Sequence, residues 1–161
     1  MSTTTNSETE AALRRAMGNL STGLTVVTTS AGGTPHGTTL SAVMSLSMEP
    51  PMVALSLART SSLLARLRPG VRFGVNVLAA HHDQVAIRFS RDLDDRFADL
   101  AWHDDGAPRL ADAHAWVLAD VSSTVEAGDH VLVLGDVVAA EAAGGRPLTY
   151  WQRTFGTHQQ F

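Results

Sequence analysis

The stretch GTTLSAVMSLSMEPP, residues 37–51, decides how this sequence is interpreted. It carries hydroxyl side chains at five of its first eleven positions, has little bulk, and ends in a proline pair. A surface of hydroxyls and backbone amides can lie against a flat heterocycle and hydrogen-bond to its edge. A Ser- and Thr-rich edge strand with a loop has the same composition, so the stretch taken alone leaves both interpretations open.

The segments on either side alternate between strand patterns and turn patterns. Turn residues at 31–35 separate the strand patterns before and after them, which predicts a hairpin. Strands are predicted over 24–29, 36–41, 52–57, 73–78, 115–125, 130–140 and within 147–155. Helices are predicted over 10–20, over 81–89, and from a cap at 60–62 to Pro69.

Strands outnumber helices, and short turns join most neighbouring strands. This pattern predicts a mainly β protein with flanking helices, a largely antiparallel sheet and a closed barrel. Residues 1–9 are polar and can bury nothing, so we expect a disordered tail there. The remaining residues, 10–161, fit a single domain by length.

The composition excludes several classes of chemistry. The chain has no Cys, and all 12 of its basic residues are Arg, which excludes disulfides, Cys-ligated metals, a Walker A loop and a lysine Schiff base. A net charge of −4 without a basic run argues against nucleic acid. No apolar run approaches the ~20 residues that span a bilayer. The N-terminus lacks the pattern of a secretory signal, so we expect a cytoplasmic protein without membrane contact.

Two further motifs could bind a ligand, and each has a simpler interpretation. Residues 59–62, Arg-Thr-Ser-Ser, precede the predicted helix and could bind a phosphate, but an ordinary helix cap has the same residues. His130 follows Gly128 and Asp129 in a predicted turn, where it could donate to an anion or only face solvent. His81 and His82 are adjacent and would diverge on a helix, so no metal site is predicted.

Taken in order, these motifs resemble the flavin-reductase-like family of FMN-binding split barrels. The resemblance covers residues 13–155, and its most specific parts are the Ser-rich block with its Pro-Pro end and the Gly-Asp-His turn. It also includes 59–62, 73–78, Gln84, Phe89, Gly135 and 147–150. The resemblance implies an antiparallel split β-barrel of Greek-key type that forms a homodimer.

The resemblance further implies an NAD(P)H:flavin oxidoreductase. Such an enzyme would reduce FMN or FAD with NADH or NADPH and supply free reduced flavin to a partner flavin-dependent monooxygenase. His130 would be the catalytic residue, on the nicotinamide side. The flavin-binding residues implied are Thr39, Leu40, Ser41, Ala42 and Ser45 along the ring and ribityl chain, Arg59, Thr60 and Ser61 at the phosphate, and Asn76, Phe89, Ser90, Arg91, Tyr150 and Arg153 around the rest of the pocket. The family often has Lys before a Phe near Arg96-Phe97, and Arg96 takes that place here.

The residue chemistry is compatible with this activity. Hydride transfer from nicotinamide to flavin needs no acid, base or nucleophile from the protein, because the cofactor carries the reaction. Two alternatives stay open: a flavin- or haem-binding carrier or sensor on the same barrel, and a split-barrel oxidase that retains its FMN. The sequence does not distinguish FMN from FAD or NADH from NADPH, and it does not identify the substrate of the monooxygenase.

Overall fold

The computed structural model describes residues 3–160, with two α-helices and one short 3-10 helix. These are α1 (Thr3–Met17), α2 (Asp83–Ser90) and the 3-10 helix Leu64–Arg66. Helix α1 begins at Thr3 rather than Glu10, so it takes in most of the segment expected to be a disordered tail. The domain boundary at residue 10 stays a prediction. None of the helices in the described part of the chain is both long and apolar enough to cross a membrane.

Twelve strands make up the rest of the regular structure within residues 3–160. They are β1 (Thr22–Gly23), β2 (Thr25–Ala31), β3 (Thr34–Leu40), β4 (Val43–Met48), β5 (Pro51–Ala58), β6 (Arg72–Val77), β7 (Trp102–Asp104), β8 (Pro108–Leu110), β9 (Ala115–Ala127), β10 (His130–Ala142), β11 (Leu148–Trp151) and β12 (Thr154–Thr157). The mainly β, antiparallel prediction is confirmed. The Ser-rich stretch itself forms the end of β3, a two-residue link and β4. Both strands are edges of the main sheet, so the edge strand considered from its composition is present.

Seven strands form one antiparallel sheet in the order β3-β2-β6-β9-β10-β5-β4. Consecutive strands β5 and β6 are separated in this sheet by the β9–β10 hairpin, which is the nonlocal connection expected of a Greek-key topology. Apolar side chains from β2, β5, β6, β9 and β10 meet in one buried core, and Leu40 of β3 and Val43 of β4 pack against it. The sheet therefore curls around its core.

The edges of this sheet are β3 and β4, which Ser41 and Ala42 connect. Within residues 3–160, no ladder pairs these two strands, so the barrel is split between them and the expectation of a closed barrel was wrong. A smaller sheet, β1-β11-β12, and the β7–β8 pair lie outside the main sheet. Helix α2 packs beside β3 over a second core that includes Phe89 and Leu148.

The α-helix predicted after the cap at 60–62 does not form. Turns lead into the 3-10 helix Leu64–Arg66, and Leu63 and Leu67 on either side of it insert into the main core. The segment before Pro69 is short, and an α-helix of that length adds too few hydrogen bonds to offset the unfavourable free energy of forming its first turn. Residues 60–62 therefore do not lie at the N-terminus of an α-helix, and no helix dipole would attract a phosphate there. A phosphate would be bound only by side chains and by the backbone amides of the turn.

Candidate functional site

A cleft of about 400 Å³ opens where β3 and β5 end and β10 begins, beside the C-terminus of α2. We call it the main cleft. Its lining residues are Thr38, Thr39, Leu40, Ser56, Leu57, Ala58, Thr60, Ser61, Ser62, Ser90, Arg91, Asp92, Arg96 and His130. Seven of them, Thr39, Leu40, Thr60, Ser61, Ser90, Arg91 and His130, are among the site residues predicted from the sequence. Segments far apart in the chain thus converge on one polar surface.

Two threonines of β3 tie helix α2 to the wall of this cleft. Thr39 Oγ1 donates to the Ala86 carbonyl at 2.7 Å, and Thr38 Oγ1 donates to the Phe89 carbonyl at 3.3 Å. Each hydroxyl has thereby used its single proton. A ligand in the cleft would find these oxygens as hydrogen-bond acceptors.

Other residues of the cleft offer donors. Ser61 Oγ accepts from the Leu64 backbone N at 3.4 Å and keeps its own proton. Within residues 3–160, no hydrogen bond or ion pair engages the side chains of Thr60 and Arg91. Hydroxyl protons and an unpaired guanidinium form a donor set suited to a phosphate group.

His130 stands at the mouth of the main cleft, at the start of β10. Its side chain is 43% exposed, and Nδ1 lies 2.8 Å from Asp129 Oδ1. The hydrogen bond from His130, assisted by its charge, lowers the pKa of the Asp129 carboxyl. Because the carboxylate can only accept, it keeps a proton on Nδ1 and leaves Nε2 available to a ligand.

Arg59, predicted to assist the phosphate, does not line the main cleft. Its Nε donates to the Gly128 carbonyl at 2.9 Å, and its guanidinium forms a 2.6 Å ion pair with Glu126. The backbone N of Arg59 also donates to the Asp129 carbonyl at 3.0 Å. Arg59 therefore clamps the β9–β10 turn that carries His130, which makes it a positioning residue in this structure.

Arg96 links the main cleft to a neighbouring cavity of about 370 Å³, which we call the aspartate cavity because Asp92, Asp94 and Asp95 line it. The Arg96 guanidinium donates to the Gly37 carbonyl at 2.7 Å and pairs with Asp92 at 3.3 Å. Its Nε is buried and has no partner among the described residues. His36 shares this cavity, and burial together with the charges of Arg66 and Arg96 lowers its pKa.

Three predicted flavin residues lie in a different cavity. Ser41, Tyr150 and Arg153 line a groove of about 670 Å³ between the end of α1 and the β11–β12 hairpin, which we call the hairpin cavity. Ala42 borders a small apolar groove of about 230 Å³ beside β4. Ser45 is an exposed residue of β4. None of these residues lines the main cleft.

Asn76 and Phe89 are fully buried and also stay outside the main cleft. Asn76 Nδ2 donates to the Val26 carbonyl at 3.1 Å, and its Oδ1 accepts from the Leu110 backbone N at 2.7 Å. The Asn76 amide thus joins β8 to the main sheet. The Phe89 ring packs against Gly37 and makes an edge contact with Phe97 at a centroid distance of 4.9 Å. Both side chains support the structure around the site.

His81 and His82 do not diverge as expected. Nε2 of each ring lies within 3.1 Å of the same Asp112 oxygen. These hydrogen bonds outweigh the burial of Asp112 and lower its pKa. The His82 Nδ1 accepts from the Ala79 backbone N at 3.0 Å, so the proton of a neutral His82 sits on Nε2. Because Nε2 then has no free lone pair, this cluster is poorly suited to a metal ion.

Sequence reasoning missed several lining residues of the main cleft, among them Ser56 and Ser62. Ser56 had a signal, since it is the one hydroxyl in the apolar run 52–57. Ser62 lies in the Arg-Thr-Ser-Ser motif, directly after the predicted phosphate residues Thr60 and Ser61. Thr38 lies in the Ser-rich stretch beside the predicted flavin residue Thr39, and both line the cleft.

Comparisons with known proteins identify the family of this chain. Residues 17–159 match the model of the family described as flavin reductase like domain. A relative from Rhodococcus opacus, named 4-nitrophenol 4-monooxygenase/4-nitrocatechol 2-monooxygenase, reductase component, is 36% identical over 148 residues, which are 91% of this chain and 80% of that protein. A solved structure of flavin reductase PheA2 in its native state has a TM-score of 0.87 and 30% identity, and the alignment covers 94% of this chain and 99% of that chain.

Relatives differ in length. A probable flavin reductase of Rhizobium meliloti (strain 1021) is 39% identical over 142 residues, which are 86% of this chain and only 46% of that protein. This chain therefore spans less than half of that relative.

Proposed function

The chain belongs to the flavin reductase like domain family, and its domain is an oxidoreductase domain that reduces flavin with a nicotinamide nucleotide; from this premise we propose that the main cleft holds the flavin and that His130 orients the hydride donor. The observation that carries this proposal is the convergence of seven predicted site residues on one cleft. The cleft brings the ends of β3 and β5, the start of β10 and the C-terminus of α2 together on one surface.

The residues of the main cleft fit a flavin nucleotide. Acceptor oxygens on β3 and donor groups at Thr60, Ser61 and Arg91 line the same cleft, so a ring edge and a phosphate each have partners of the right kind. A bound flavin supplies the ring that accepts the hydride. The chain supplies orientation and electrostatics.

His130 acts by position. The Arg59 clamp fixes the turn, and Asp129 fixes the ring tautomer, so Nε2 presents a defined lone pair beside the cleft. Nε2 can accept a hydrogen bond from an amide or hydroxyl of the hydride donor when the ring is neutral, and can donate one to an oxygen of the same group when the ring is protonated. Holding two reactants in the productive geometry lowers the entropic part of the barrier.

Steady-state kinetics test the function directly. We expect purified protein to oxidise NADH or NADPH only when FMN, FAD or riboflavin is added, each tried in turn. An oxidase that retains FMN would be yellow as purified and would turn over without added flavin. A carrier or sensor would bind flavin and leave the nicotinamide nucleotide unoxidised.

We further propose that the reduced flavin passes to a separate flavin-dependent monooxygenase. The cleft lies at the surface, and its contacts to the flavin would be mostly uncharged hydroxyls, which favours exchange over tight retention. The reductase-component name of the Rhodococcus relative supports the same assignment. We place this reaction in the cytoplasm, where nicotinamide nucleotides are available as reductants.

The Ser61 hydroxyl is expected to recognise phosphate. Replacing Ser61 with Ala should weaken FMN binding about 10- to 100-fold, because a hydrogen bond to a charged group is lost. Riboflavin has no phosphate, so its dissociation constant should stay unchanged. Fluorescence titration of both ligands measures the difference, with the exposed Ser123→Ala as the control. Equal weakening of both ligands would instead place the phosphate near Arg91 or Arg96.

We expect a homodimer. Exposed apolar side chains line β4 and β10, including Met44, Leu46, Met48 and Val138, of which Met48 is 78% exposed. Burying such a strip against a second copy is favourable, and two-fold dimers are the commonest assembly. Sedimentation velocity at micromolar concentration should show twice the 17.1 kDa chain mass, and Met48→Glu should shift the population towards monomer. A single 17.1 kDa species for the unaltered chain would refute the dimer.

A further inference from the structure

A four-residue turn at the end of β5, residues 58–61, joins two parts of the main cleft. The backbone N of Ser61 donates to the Ala58 carbonyl at 2.8 Å, which is the hydrogen bond that closes a β-turn. Thr60 and Ser61, the proposed phosphate donors, are the last two residues of this turn. Ala58, its first residue, is the ladder partner of His130. The turn therefore connects the phosphate end of the cleft to the residue proposed to orient the hydride donor.

Arg59 is the remaining residue of this turn, and three of its polar contacts reach the β9–β10 hairpin. Its backbone N donates to the Asp129 carbonyl at 3.0 Å, and its Nε donates to the Gly128 carbonyl at 2.9 Å. Its guanidinium also pairs with Glu126 at 2.6 Å. Two of these contacts are made to backbone carbonyls, so they fix the path of the chain that enters β10 at His130.

The end of the β9–β10 hairpin has little other support. Residues 122–129 are all exposed. Within residues 3–160, Arg59 is the only residue outside the hairpin whose side chain forms a hydrogen bond or ion pair with residues 124–129. Segments with few contacts open at a low cost in free energy. A ligand that needs His130 in a fixed position therefore loses part of its binding free energy to ordering this hairpin end.

A phosphate in the cleft would order the same hairpin end from the other side. Held by Thr60 and Ser61, it would fix the turn at 58–61 and with it the backbone position from which Arg59 reaches the hairpin. The hairpin end would then be ordered before the hydride donor binds, so the donor would lose less free energy on binding. Two ligands that order one shared element bind with positive cooperativity, even without a change of structure.

We propose that Arg59 couples the two ligands of the reaction: a flavin phosphate at Thr60 and Ser61 strengthens the binding of the hydride donor at His130 through the contacts of Arg59 with the β9–β10 hairpin. Arg59 is a positioning residue in this coupling, since it does not line the main cleft. The inference rests on the proposed function for the identity of the two ligands. Riboflavin, which lacks the phosphate, cannot produce the effect.

Equilibrium titration with NAD+ measures this coupling without turnover, because NAD+ carries no hydride to donate. In the unaltered protein, the dissociation constant of NAD+ should be about fivefold lower with saturating FMN than with saturating riboflavin, at the lower end of the usual coupling between sites. Arg59→Gln should reduce this ratio to about one, because it removes the guanidinium that holds the hairpin. Arg68→Gln is the matched control and should keep the ratio, because Arg68 is exposed, has no side-chain partner among the described residues and lines no cavity named above.

The same variant separates coupling from a direct contact with the phosphate. Backbone hydrogen bonds hold the turn at 58–61 without the Arg59 side chain, so Thr60 and Ser61 should stay in place. The dissociation constant of FMN measured without NAD+ should therefore be unchanged in Arg59→Gln. Weaker binding of FMN with unchanged binding of riboflavin would mean that Arg59 contacts the phosphate itself, and would overturn the proposal. A ratio of one in the unaltered protein, or a fivefold ratio that persists in Arg59→Gln, would also overturn it.

Amide hydrogen exchange, followed by mass spectrometry on peptides that cover residues 124–132, reports on the hairpin end directly. Saturating FMN should slow exchange there more than saturating riboflavin does, and Arg59→Gln should remove the difference. Equal protection by the two flavins in the unaltered protein would overturn the proposal. This comparison needs only flavin binding. A protein that oxidises no NADH would refute the proposed function, and the exchange data would still decide whether the phosphate orders the hairpin through Arg59.

Discussion

Replacing His130 with Ala is expected to lower kcat/KM for NADH about 100-fold, because small misplacements of reacting atoms cost that much in rate. His130 lines the main cleft with its tautomer fixed by Asp129 and its turn clamped by Arg59. Its side chain makes no hydrogen bond that supports the cleft wall, so the dissociation constant of the flavin should stay nearly unchanged.

Kinetics and flavin titration on the same preparations separate the two effects. His158→Ala is the control, since His158 is exposed and lies outside the main cleft. A positioning imidazole does not exchange a proton in the hydride step, so the rate should change little between about pH 6 and 8. Unchanged NADH kinetics would mean that His130 only faces solvent, and lost flavin binding would place it in the flavin pocket.

Replacing Gly74 with Ala is expected to lower the free energy of unfolding by about 3 kcal/mol, at the upper end of the usual cost of overpacking. A Cβ at Gly74 would lie 1.9 Å from Trp116 Cη2 and 2.9 Å from Thr28 Oγ1. Trp116 is 2% exposed, and the Arg109 guanidinium lies 5.8 Å from its ring centroid. The ring therefore has little freedom to move away.

Thermal unfolding followed by circular dichroism measures this cost. For a chain of this size, about 3 kcal/mol corresponds to a decrease of roughly 10 °C in Tm. Gly23→Ala is the control, because a Cβ there meets no atom within 4 Å. Adding Trp116→Leu to Gly74→Ala should recover part of the decrease in Tm, because the smaller side chain removes the ring atoms that the new Cβ would meet. An unchanged Tm for Gly74→Ala would show that the sheet adjusts without cost.

The fold could be predicted largely from the sequence because its signals are local. Turn residues at 31–35 and around Gly128 mark the two main hairpins. An apolar run over 52–57 and alternation over 73–78 mark strands. The predicted helix after residue 62 fails because its leucines gain more from entering the barrel core than from a short α-helix. The predicted helix over 10–20 begins later than α1, because the polar residues before Glu10 show no apolar periodicity from which a helix could be predicted.

The sequence by itself determined which residue types surround the main cleft, because hydroxyls, an arginine and a histidine were visible in their motifs. Only the tertiary structure decided which of them face the cleft. Arg59 lies in the same motif as Thr60 and Ser61, yet its guanidinium turns away to the Gly128 carbonyl, 69 positions along the chain. Asn76 turns inward to the Val26 carbonyl, 50 positions away. The direction of a polar side chain depends on the partner that the fold brings to it, and a pattern of neighbouring residues does not contain that partner.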